Sequence, residues 1–94
     1  MKLNIFGKQY KVIKTKDIIT KDHDAEILYE KGIILVHEDV VGEEFIQKVI
    51  HEMNHAIIAR ISLNQAVLSH DLEEIICDSF STTMIENFKI ESKY

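Results

Sequence analysis

Apolar and polar positions change period part-way along this 94-residue chain. Up to about residue 40 they come in short runs typical of strands. Leu3 to Phe6 and Tyr10 to Ile13 flank Gly7-Lys8, which predicts a hairpin. Polar residues from Thr15 to Asp24 predict a loop. Ala25 to Tyr29 and Ile33 to His37 flank Glu30-Lys31-Gly32, a second hairpin. From Glu43 the spacing becomes helical, with Ile46, Val49, Ile50, Met53, Ile57 and Ile61 along one stripe. Gly42 suits the N-cap, and Glu43 and Glu44 suit the positive end of the helix dipole. Leu63 to Ser69 reads as a connection. A second helix is expected from His70 to about Asn87, capped by Ser69 or Asp71, with Leu72, Ile76, Phe80 and Thr83 on one face. Phe45, Phe80 and Phe88 read as core. The pattern predicts an α+β fold: a small antiparallel β-sheet of three to four strands followed by two helices.

Composition narrows this picture. The length suits a single domain over residues 1–94, and the lone Cys77 excludes an internal disulfide. The net charge of −5 argues against a nucleic-acid backbone as partner. The longest apolar runs, Ile33 to Val36 and Ala56 to Ala59, are far too short to span a membrane. The polar start of the chain does not read as a signal peptide, so a cytoplasmic location is expected. A chain this short needs a metal, a partner or very good packing. Its five histidines direct attention to metal.

The strongest motif is His51-Glu52-Met53-Asn54-His55, an HExxH inside the first predicted helix. Two histidines at i and i+4 sit one turn apart, so both imidazoles can reach one zinc ion, with Glu52 beside it. On a helical wheel His51 and His55 lie at roughly 0° and 40°, and the apolar stripe at roughly 160° to 260°. The histidines therefore look away from the core stripe. A third ligand must come from elsewhere, because Ile58 and Ile61 replace the glycine and third histidine of the longer HExxHxxGxxH pattern. His70, Glu73 and Glu74 are the candidates. Glu73 and Glu74 differ by about 100° around a helix, so only one of them can point at the metal. Glu74 begins Glu74-Ile75-Ile76-Cys77-Asp78, an ExxxD whose acids share a face opposite Leu72, Ile76 and Phe80. Asp78, one turn on, can accept a hydrogen bond from a ligand imidazole and so fix its tautomer. Cys77 reads as a small buried hydrophobe, and Asp22-His23-Asp24 as a surface loop.

An HExxH helix followed by a helix with ExxxD resembles the gluzincin metallopeptidases. The compact form is similar to the minigluzincins and to small phage-borne or ImmA/IrrE-like metallopeptidase domains. The similar stretch runs from about Ala25 to Phe88. It includes Gly32 to His37, Gly42-Glu43-Glu44-Phe45, Val49 to Ala56 and Leu72 to Phe80. Asn54 and Val41 depart from the pattern. The resemblance implies one zinc per chain on His51, His55 and Glu74, with Glu52 as general base and Asp78 as the partner of His51. It implies a zinc-dependent peptidase, an endopeptidase rather than an exopeptidase, acting on peptides or proteins. A substrate strand is expected along Ile33 to His37. Tyr10, Tyr29, His37 and His70 are the candidates for oxyanion help. Minigluzincins include latent forms, and the tail from Lys89 to Tyr94, with Glu91 and its terminal carboxylate, is a candidate to occupy the cleft. The rival expectation is a non-catalytic module that uses zinc for folding energy.

Overall fold

Two hairpins build the sheet. The structure, a computed structural model, describes residues 1–18, 23–61 and 69–88. β1 (Lys2–Ile5) and β2 (Lys8–Thr15) pair antiparallel with Ile5 opposite Lys8, so the turn is Phe6-Gly7, one residue earlier than the expected Gly7-Lys8. The φ angles of Phe6 and Gly7 are both positive, 49° and 82°, as a mirror-type turn between right-twisted strands requires. β3 (Ala25–Leu28) and β4 (Ile33–His37) form the second antiparallel hairpin. Its turn closes at Gly32, where φ is 64° and an added Cβ would lie 2.9 Å from the Gln9 carbonyl oxygen. Only glycine fits there.

The strand order is β1-β2-β4-β3, and β2 pairs with β4 in parallel, from Lys11–Ile33 to Thr15–His37. The α+β class and the element order are as expected, but the sheet is mixed, not wholly antiparallel. The reason lies in β4. Ile33-Ile34-Leu35-Val36 is apolar on both faces, which suits an interior strand. The next strand along the chain, β3, pairs on the far side of β4 and so lies at the edge of the described sheet. An incoming strand therefore cannot add along Ile33–His37; among the described residues the sheet edges are β1 and β3, and α1 packs on β3.

α1 (Gly42–Ile61) lies across one face of the sheet. Gly42 sits at its start with φ 65°, and the Val41 carbonyl accepts the Phe45 N–H at 3.4 Å. Ile5, Tyr10, Ile34 and Val36 from the strands pack with Phe45, Ile46, Val49 and Ala56 from α1. Ile50, Met53 and Ile57 are partly buried against the same core. The stripe expected from the sequence is thus the one that faces the sheet. Phe45 is fully buried, a contribution of about 2–3 kcal/mol. The side chain of Ile61, the connection over 62–68, Asp22 and the tail over 89–94 lie outside the described residues.

α2 (His70–Asn87) begins where expected, with the Ser69 hydroxyl accepting the Leu72 N–H at 3.2 Å. It packs against α1 through Cys77 and Ser81, both buried. Small side chains there let the helices approach. The expectation that Phe80 and Phe88 are core is corrected: they are 50% and 58% exposed. Leu72 and Ile76, on the same face as Phe80, are exposed as well. Glu74 and Asp78 lie opposite these residues on the helix. Turning the acids toward α1 turns the apolar face outward. Among the described residues, no helix is long and apolar enough to cross a membrane.

Candidate metal centre

The two helices run antiparallel, and their facing residues pair in steps of four. Gln47 Nε2 donates to Thr82 Oγ1 at 3.2 Å. One turn on, His51 Nδ1 lies 2.8 Å from Asp78 Oδ1. After another turn, His55 Nε2 lies 2.8 Å from Glu74 Oε1. The i, i+4 spacing of the histidines on α1 is thus answered by the i, i+4 spacing of Glu74 and Asp78 on α2.

Three ligand-type atoms converge. The two Nε2 atoms are 3.1 Å apart, and His51 Nε2 is 3.4 Å from Glu74 Oε2. The ligand atoms of His51, His55 and Glu74 all lie within 4.8 Å of one another. Each outer ring nitrogen faces a carboxylate: Asp78 for His51 at 2.8 Å, and Glu73 Oε2 for His55 at 2.7 Å. With each Nδ1 donating its hydrogen outward, each Nε2 turns a lone pair inward. Two lone pairs and a carboxylate then share one space without a donor between them. Even with both rings protonated, the carboxylates of Glu73, Glu74 and Asp78 outnumber them. A cation held between these atoms would balance that excess of negative charge.

The donor set fits zinc. Zinc takes imidazole nitrogen and carboxylate oxygen at ~2.0–2.2 Å in a tetrahedron. Such a tetrahedron has edges of ~3.3–3.6 Å; here the two Nε2 atoms are 3.1 Å apart and Glu74 turns a different oxygen to each ring, Oε1 to His55 at 2.8 Å and Oε2 to His51 at 3.4 Å. Cys77, the sulfur nearest in sequence, is fully buried outside the cluster. Burial first, then the charges of Glu73 and Glu74, push its thiol up to about 12. It is the small hydrophobe expected, neither ligand nor nucleophile.

Glu52 stands beside the cluster, buried at 7% exposure. Its carboxyl is pushed up to about 7, chiefly by burial; His55 opposes the shift, and Glu74 and Glu26 add to it. Glu52, His55, Glu73 and Glu74 line a cleft of about 1070 Å³. Ala25, Ile27 and Tyr29 form its wall on the β3 side, and Arg60, Ser69 and His70 line it too.

The sequence-derived residues His51, Glu52, His55, Glu74 and Asp78 come together, and Asp78 meets His51 as expected. Glu73 faces the outer nitrogen of the His55 ring rather than joining the three converging atoms, a placement that sequence reasoning missed. The signal was available: each ligand imidazole needs an acceptor for its outer nitrogen, and Asp78 can serve only one of two rings a turn apart. His70 is exposed and stands outside the cluster. Of the proposed oxyanion donors, His37 accepts the Asp39 N–H at 3.2 Å away from the cleft. Tyr10, Tyr29 and His70 line it, Tyr10 being the most buried. Burial, then Glu73 and Glu52, raise the Tyr29 hydroxyl well above its usual range, so it stays protonated. His23 and Asp24 are exposed, as expected of a surface loop.

Comparison of the chain with family models, with curated proteins and with solved structures finds no match. The class that fold and site define is an α+β domain whose paired helices enclose a His-His-Glu cluster.

Proposed function

We propose that the protein is a zinc-dependent metallopeptidase that cleaves peptide bonds within extended segments of peptides or proteins inside the cell. The observation that carries this reading is the convergence of three ligand atoms beside a buried acid, Glu52, at the wall of an open cleft. His51, His55 and Glu74 would hold the metal. When bound, zinc supplies a Lewis acid that polarises a carbonyl and lowers the pKa of water to about 7. Glu52, buried beside the cluster, takes the proton of the attacking water and passes it to the leaving amine. Asp78 and Glu73 hold the two rings in the tautomer that directs Nε2 inward. The β3 edge offers backbone groups to an extended peptide. Tyr29, protonated at the cleft wall, is the donor suited to the oxyanion.

The test compares wild type, His55→Ala and Glu52→Gln for zinc content and for hydrolysis of a broad peptide panel. Wild type should carry one zinc and cleave. His55→Ala should lose both properties. Glu52→Gln should keep zinc and fold but lose cleavage. Zinc without cleavage by wild type would replace the peptidase reading with a metal-stabilised binding module. Equal zinc in wild type and His55→Ala would remove the site itself.

A further inference from the structure

The cleft carries two cations that the proposed chemistry does not use. Lys8 lines its sheet wall, and Arg60 lines it from the last turn of α1. Lys8 stands opposite the buried Ile5, so its side chain shares the face turned toward α1. Its place is held. Nζ donates to the Tyr29 backbone carbonyl and lies 5.4 Å from the centre of the Tyr10 ring. The stem runs close over the second hairpin turn, where a Cβ added to Gly32 would lie 3.6 Å from Lys8 Cε. An ammonium has three hydrogens, and Tyr29 takes one of them.

Arg60 reaches the same end of the cleft. Lys48 on α1 lies 4.0 Å from Asp24, just before β3. Further on, the charge of Glu73, the acid beside His55, acts on Tyr29, just after β3. The helix and the strand therefore run in the same direction. Arg60 is twelve residues beyond Lys48, ~18 Å along a helix, and Tyr29 is five beyond Asp24, ~17 Å along an extended chain. Among the described residues no acid lies within ion-pair distance of Lys8 or Arg60; the lysine pairs are Lys16–Glu38 and Lys48–Asp24. The acids that share the cleft are engaged or remote. Glu73 and Glu74 face the two imidazoles, Glu52 is buried, and Glu26 lies near the start of β3. In a chain of net charge −5, two such cations in one cleft are not the by-product of a basic surface.

We infer that Lys8 and Arg60 form a carboxylate-binding subsite, which selects peptides with a carboxylate two or three residues to one side of the cleaved bond. The inference rests on the peptidase reading of the same cleft. Two cations on one cleft draw an anion more strongly than either alone, and the guanidinium fork and the remaining ammonium hydrogens both suit a carboxylate. The register follows from the helix. Arg60 is five residues past His55, ~7.5 Å along the axis, and an extended peptide advances ~3.3 Å per residue. The carboxylate comes from an Asp or Glu side chain or from the C-terminus of the peptide; the chemistry is shared.

The test uses amidated peptides with one cleavage point and a single glutamate moved through the positions on either side of it; the reference peptide has glutamine instead. Wild type should cleave the peptide with glutamate two or three residues to one side about tenfold better in kcat/KM, chiefly through KM, at ~0.05 M salt, and much less so at ~1 M. Lys8→Met with Arg60→Met should cleave the reference as wild type does and lose the gain. Comparing two peptides on one protein cancels any change in zinc content. A glutamine peptide whose free C-terminus falls at the same distance tells the two sources apart; a gain there, lost in the double variant, supports the same subsite. Equal cleavage of every peptide, or a gain that survives in the double variant, overturns the subsite and leaves the peptidase reading standing. So does an equal gain at all positions, which is long-range attraction and not a subsite. If wild type cleaves none of them, fluorescence anisotropy with labelled peptides separates the two ideas. Tighter binding of the glutamate peptide, lost in the double variant, keeps the subsite while the peptidase reading falls; equal binding of both peptides removes the subsite too.

Discussion

Helices α1 and α2 build the metal cluster together, yet they treat their apolar surfaces in opposite ways. α1 presses its apolar stripe onto the sheet and offers His51 and His55 on another side, so both sides are covered. α2 offers Glu73, Glu74 and Asp78 to α1 and turns Leu72, Ile76 and Phe80 to the outside. The difference teaches that an apolar stripe is a statement about one face of a helix, not about what that face meets. Among the described residues α1 packs on both the sheet and α2, and α2 chiefly on α1. Where a helix has one main neighbour and also carries the candidate ligands, those take the covered side.

The sharpest way to break this comparison is to shave one phenylalanine from each helix. Phe45→Ala should lower stability by about 3–5 kcal/mol, the usual cost of an emptied aromatic site in a core. Phe80→Ala should change it by no more than about 0.5 kcal/mol in dilute monomer. Urea titrations of the two variants decide the matter, and equal losses would mean that α2 is covered after all. Next in size are the acids that hold the rings. Asp78→Asn and Glu73→Gln should each weaken zinc binding by about 10- to 100-fold, as removal of a hydrogen-bond partner from a ligand imidazole does. Competition with a zinc indicator measures it. An effect from Asp78 alone would leave His55 oriented by something else.

A pH dependence sharpens the contrast from the side of α1. Glu52 is its buried acid, with a carboxyl at about 7 in the metal-free fold against an ordinary 4.5. The folded state holds the proton more tightly than the unfolded chain. Metal-free stability should therefore fall as pH rises from about 4.5 to 7 and level off above. Glu52→Gln removes that slope. In excess chelator it should match wild type near pH 4 and exceed it by roughly 1–3 kcal/mol at pH 8. Melting curves at the two pH values show whether the gap opens.

Much of the site could be read before any coordinates, because covalent spacing alone places residues on a helix face. His51 and His55 share a side whatever the helix packs against, and so do Glu74 and Asp78. The two pairs match across antiparallel helices, which is why Asp78 meets His51. Glu73 was harder, since its role depends on the relative rotation of two helices. The apolar face of α2 misled for the same reason: periodicity reveals a stripe but not its neighbour. In the sheet, both hairpins were legible because their turns are local. The parallel seam of β2 and β4 was not, because it joins residues far apart in the chain.

That seam has a kinetic consequence. Each hairpin can close on its own within ~1–10 μs. Zipping Lys11 to Ile33 must wait until the polar stretch after Thr15 has looped past β4. Distant contacts of this kind slow folding, while doubling a loop costs only about 0.6 kcal/mol in the final balance. Lengthening the chain between Thr15 and Ala25 should therefore stretch the time the protein takes to fold far more than it loosens the fold once formed.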